Sequence, residues 1–106
     1  MYRYTTPTIP LTVDTIIPEG AQIYATFSQG DNRVTKSGSD IDVQREENET
    51  ILIVTLTQEE TASFKPYLPV MIQVNWVMDD GTRIATSTAN ISTFDNLLNE
   101  VIEYGE

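Results

Sequence analysis

The chain has no cysteine and no histidine among its 106 residues. Without cysteine no disulfide can staple the fold, and thiol nucleophiles and thiolate metal sites are excluded. Without histidine it lacks the side chain that most often moves protons near neutral pH, and also the commonest metal ligand. Basic charge is scarce as well: 6 Lys and Arg stand against 16 Asp and Glu, a net charge of −10. Phosphate backbones need the opposite sign, so no nucleic-acid partner is expected. No run approaches the ~20 apolar residues that a membrane-spanning helix needs, so no membrane partner is expected either. The opening Met1-Tyr2-Arg3-Tyr4-Thr5-Thr6-Pro7 is polar and turn-like, with no apolar signal-peptide core.

What is present fits one small globular domain. Apolar residues make up 40% and charged residues 21%, and the length is enough to bury a core without staples. The strongest pattern lies in residues 70–93. Val70, Ile72, Val74, Trp76 and Met78 alternate with Met71, Gln73, Asn75 and Val77; Asp79-Asp80-Gly81-Thr82 and a second extended segment follow. An Asp-Gly pair between such runs predicts a hairpin, because glycine accepts positive φ and aspartate tolerates it. With Asp80 and Gly81 as a two-residue loop, Val77 faces Ile84 and Trp76 faces Ala85. Further along, Val74 faces Ser87, Ile72 faces Ala89 and Val70 faces Ile91. A slip of one residue would turn the apolar set to the wrong face. Trp76 is therefore expected in the core.

The other elements follow from shorter signals. An extended segment at 5–13 contains Pro7 and Pro10, which confine it to a sheet edge. A strand at 21–28 puts Ile23, Ala25 and Phe27 on one face. A turn at Gln29-Gly30-Asp31-Asn32 leads to a short return strand around Val34, and Ser37-Gly38-Ser39 turns again. Ile41 and Val43 begin another strand, ended by the polar loop 44–48. Segment 50–56 is apolar on both faces, which predicts a central position. Thr57-Gln58-Glu59-Glu60 fits a capping box, Pro66 limits the helix it starts to one or two turns, and Phe64 should pack beneath it. Residues 95–104 read as a helix with Asp95 as N-cap and Leu97, Leu98, Val101 and Ile102 as an apolar stripe. The expected fold is all-β: an immunoglobulin-like sandwich of about seven strands with a short helical turn. The sandwich should occupy residues 1–93, and residues 94–106 should add a C-terminal helix for docking or oligomerisation.

No constellation in the chain carries chemistry. Glu59 and Glu60 are neighbours, and neighbours on a helix point to different sides, so they cannot act as a facing pair. Asp79 and Asp80, with Asp31 nearby, would offer calcium fewer than the six to eight oxygens it takes. Ser28, Ser37 and Ser39 have no histidine to activate them. Lys36 and Lys65 both stand beside turns, where water denies them the desolvation a serine–lysine dyad needs. No catalytic residue, metal ligand or cofactor is expected, and the protein is read as a non-enzyme. The stripe Leu97/Leu98/Val101/Ile102 is the one candidate interface: it either folds back on its own sandwich or docks on another subunit.

Three stretches carry a family likeness. The opening Met1-Tyr2-Arg3-Tyr4-Thr5-Thr6-Pro7-Thr8, the segment Leu56-Thr57-Gln58-Glu59-Glu60-Thr61, and Gln73-Val74-Asn75-Trp76 followed by Asp80-Gly81-Thr82 resemble small tail proteins of phages and prophages of Gram-positive bacteria. The resemblance is to the N-terminal immunoglobulin-like domain of baseplate upper proteins, and it covers nearly the whole chain in order and spacing. One departure stands at Tyr4, where the family pattern has a glycine after Tyr-Arg. The resemblance implies a non-catalytic structural or adaptor role in a tail or baseplate. Its partners would be other virion proteins or a second copy, and its place the virion or the host cytoplasm during assembly. The acidic charge supports a different reading, a binding module that inhibits a basic host or phage protein.

Overall fold

The computed structural model describes residues 1–103. Among these residues eight strands and one short α-helix follow one another, with a single 3-10 turn at Gly38–Asp40: β1 Thr8–Val13, β2 Gln22–Gln29, β3 Asn32–Ser37, β4 Ile41–Arg45, β5 Thr50–Thr55, α1 Gln58–Ser63, β6 Val70–Val77, β7 Arg83–Ala85 and β8 Ala89–Ile91. They form two antiparallel sheets. One has the order β1-β5-β4; the other has the order β3-β2-β6-β7, with β8 also paired to β6. The all-β expectation with a helical turn after the fifth strand is met. The two-faced apolar run Ile51–Val54 lies in β5, the central strand of its sheet, and the proline-bearing β1 lies at that sheet's edge.

The inward side chains of both sheets build one core. Val13, Ile41, Leu52 and Val54 come from the first sheet; Ile23, Ala25, Phe27, Val70, Ile72, Val74 and Trp76 come from the second. Ile17, Leu56 and Phe64 close it from the connections. Trp76 is 3% exposed, as its place in the alternation requires.

The hairpin differs from its expected register at the tip. Val70↔Ile91 and Ile72↔Ala89 pair as expected, but Trp76 faces Ile84, not Ala85, and Val77 faces Arg83. Between these stretches Gln73 and Val74 on β6 face three residues, Thr86, Ser87 and Thr88, so the second strand carries a one-residue bulge. The Thr86 N–H donates to the Val74 carbonyl at 2.9 Å, and the Thr86 hydroxyl accepts from the Val74 N–H at 3.1 Å. Gln73 Nε2 donates to the Thr86 carbonyl at 2.8 Å, so the bulge leaves few loose ends. The loop is therefore one residue longer than the expected pair. Met78 and Thr82 close it with a 2.8 Å bond, and the Gly81 N–H donates to the Met78 carbonyl at 3.0 Å. Only Gly81, at φ 90°, takes positive φ there, the pattern of a three-residue loop. The exposed Asp80 carboxylate accepts from the Thr82 N–H at 2.9 Å, and that bond holds its pKa below the ordinary value.

The capping box of α1 forms as its sequence predicts. The Thr57 hydroxyl accepts from the Glu60 N–H at 3.1 Å, and Glu60 Oε1 accepts from the Thr57 N–H at 2.8 Å. Phe64 is fully buried just after the helix. Lys36 departs from its expected watery surroundings. It lies opposite Ala25 on β3, is buried, and reaches Glu60 Oε1 at 2.7 Å. Burial pushes the Glu60 carboxyl up, but the Lys36 ammonium and the donors of Thr57 outweigh it and hold the pKa below its ordinary value.

Candidate interaction surface

The expected C-terminal helix does not form. Among the described residues no helix lies after α1, and the segment from Phe94 onward runs as an irregular tail over the α1 end of the molecule. Tyr104, the last residue of the expected helix, lies outside the described residues. The reason lies in competing partners for the backbone and for Asp95. The Phe94 N–H donates to the Met1 carbonyl at 2.8 Å, and the Arg3 N–H donates to the Phe94 carbonyl at 2.9 Å. Asp95, expected to cap, accepts from Arg3 Nη1 at 3.1 Å and from the next N–H, of Asn96, at 3.0 Å. It therefore spans one residue rather than the two or three that a cap requires. The other Arg3 nitrogen, Nη2, donates to the Ala62 carbonyl at 2.8 Å. Further along, the Gln58 side chain holds Ile102 by both backbone groups, at 2.7 and 2.8 Å.

These contacts set the tail alongside α1, from Ala62 at one end to Gln58 at the other, a rise of about 6 Å along the helix. Leu97 is fully exposed, and Leu98, Val101 and Ile102 are all exposed too. They are not gathered into a helical stripe. The tail begins at a surface that the sequence did not advertise. Tyr2 and Phe94 rings lie 5.4 Å apart, and Tyr67 stands edge-on to Phe94 at 6.5 Å. The Tyr67 N–H donates to the Thr93 carbonyl at 2.7 Å, which fixes the loop before β6 against the tail. Tyr67 is 74% exposed and adopts φ 66°, so a large ring is held out into water on a costly backbone. Its place between Pro66 and Pro69 marked a loop in the sequence, and nothing there marked a contact residue.

The opposite end has another character. The loop after β1, the β4–β5 loop and the β6–β7 loop carry Asp14, Glu19, Glu46, Glu47, Glu49, Asp79 and Asp80. Arg45 is spent on carbonyls there, donating to Ile17 at 2.7 Å and Pro18 at 3.2 Å. Asp31 is not among these acids. It sits in the β2–β3 loop, next to Asn32, whose side chain binds Ser63 of α1. Among the described residues no three carboxylates converge as a cation would need. The outer face of the larger, five-stranded sheet holds a shallow groove of about 400 Å³ lined by Tyr24, Thr26, Thr35, Asn75, Val77 and Arg83. It offers hydrogen bonds, with Arg83 Nε donating to Asn75 Oδ1 at 3.2 Å, and no paired nucleophile and base.

Comparison of the chain with protein families, with curated proteins and with solved structures finds no match.

Proposed function

We propose that this protein is a non-catalytic structural or adaptor module of a phage or prophage tail or baseplate, built on an immunoglobulin-like sandwich. The observation that carries the contact role is the bare apolar surface of Tyr2, Tyr67, Phe94 and the tail leucines. Exposed patches of that kind are rare on monomers without a partner. The strand order supports the immunoglobulin-like reading. The sheet β1-β5-β4 corresponds to strands B, E and D of that fold, and β3-β2-β6-β7 to C′, C, F and G. The helical turn falls between the E and F counterparts. The family reading draws support from Tyr4. It is one of two non-glycine residues with positive φ among those described, at 61°, a conformation that glycine adopts at no steric cost. It is also the position where the family pattern has glycine. Its ring lies against the Arg3 guanidinium, 5.3 Å from the centroid, an attraction that offsets part of the backbone cost.

Mass spectrometry of purified particles from the strain that encodes this chain tests the proposal. The chain should be present in proportion to known tail proteins. Its absence from particles in which those proteins are detected overturns the reading.

A further inference from the structure

We infer that Tyr2, Tyr67 and Phe94 with Leu97, Leu98, Val101 and Ile102 form one face that joins two copies of this chain, α1 end to α1 end. The inference rests on the reading of the protein as a structural module and names its partner. The three rings touch in sequence, and Arg3, Asp95 and Gln58 tie the tail that follows Phe94 along α1. Its size suits a pair. The fractional exposures of the seven side chains, from 39% for Val101 to 106% for Leu97, amount to about four fully bare large residues. At ~200 Å² each that is roughly 800 Å², the share one partner gives to an interface of standard size.

Charge favours this orientation for a second copy. Each copy carries a net charge of −10, so most approaches of two copies meet repulsion. Seven carboxylates crowd the end remote from α1. The molecule is 45 Å along its longest axis, several times the ~8 Å over which salt screens charge. Joined by their α1 ends, two copies keep those acids at opposite extremities. At the α1 end itself Asp95 is paired with Arg3 and Glu60 with Lys36, which leaves Asp31, Glu59, Glu100 and Glu103, fewer than the seven acids of the far end. A patch that is apolar on both partners is self-complementary under a two-fold axis, the commonest symmetry for a pair.

Sedimentation velocity of the full chain across a concentration series tests this. A dimer at about 50 µM is expected, with Tyr67→Ser and Leu97→Asp each weakening it by at least about tenfold. Both side chains lie outside the core, so circular dichroism should show the fold intact in each variant. Ile16→Asp alters an exposed residue in the β1–β2 loop and should leave the dimer unchanged. A full-length protein that stays monomeric overturns the inference. So does a dimer that Ile16→Asp disrupts while the two face variants do not. A monomer still present in purified particles would overturn the pairing and leave the tail or baseplate reading standing. A dimer absent from particles would do the reverse.

Discussion

α1 and the tail that lies against it are both short stretches on the same end of the molecule, and they are held in opposite ways. α1 has only six residues, too few for a helix to survive on propensity alone. It persists because its side chains are engaged from several sides. Thr57 and Glu60 cap its N-terminus, Lys36 binds Glu60 from β3, and the buried Thr61 hydroxyl donates to the Thr5 carbonyl at 2.9 Å. Phe64 then anchors the exit in the core. The tail has no such anchor. Its apolar side chains face outward, and its backbone is tied to Met1, Arg3 and Gln58, partners that a helix would have to give up. Burial by tertiary contact, not the spacing of apolar residues, decides which stretch winds.

The largest way to break this contrast is to remove the anchor. Phe64→Ala empties a fully buried site and should cost about 3–5 kcal/mol, enough to unfold a marginal domain. Urea denaturation followed by tryptophan fluorescence reads it. A loss below about 1 kcal/mol would mean that the end of α1 is not held by the core.

Glu60 comes next, because one carboxylate serves both the cap and Lys36. Glu60→Ala should cost about 1–3 kcal/mol, as Lys36 is left buried without its partner. A pH series sharpens the point. The Glu60 carboxyl is held below its ordinary value of 4.5 in the folded chain. Its contribution is therefore complete above that value and is lost as pH falls through the lower, folded-state one. The gap in urea midpoint between the native protein and Glu60→Gln should be full at neutral pH and shrink in acid below about pH 4.5. A gap that is constant with pH would show that the ion pair contributes nothing.

The hairpin presents the same contrast within one element. At its base, Val70↔Ile91 and Ile72↔Ala89 follow from alternation, since Val70, Ile72 and Ile91 must face the core. At the tip the register slips by one, and the sequence held the cause without showing it. Thr86, Ser87 and Thr88 are three small hydroxyl residues, all compatible with a strand. Only the bonds of Thr86 to Val74 and Gln73 reveal the bulge among them. The core, the sheet centre at β5 and the capping box were legible because each rests on local period or reciprocal side chains. The contact surface was half legible. Leu97 and its neighbours are apolar in any conformation, whereas Tyr2, Tyr67 and Phe94 come together only when three distant segments meet. Gly81 tests the tip. With nothing near its absent Cβ, Gly81→Val should lose about 1–2 kcal/mol through backbone strain at φ 90° alone. Thermal melts measure this, and an unchanged midpoint would place the loop elsewhere.

The smallest effect belongs to the tail, and it separates folding from pairing. Leu97 is fully exposed, so Leu97→Gln removes no core contact and should change the stability of the monomer by no more than about 0.5 kcal/mol. That holds only where the protein is dilute. A second copy binds the folded chain and not the unfolded one, so mass action stabilises the native protein as concentration rises. The variant loses that increment. Melting curves of the two proteins should coincide at about 1 µM and separate at about 100 µM, with the native chain the more stable. Curves that separate equally at both concentrations would place Leu97 in the fold of the single chain. Curves that coincide at both would show that the exposed tail does nothing for either.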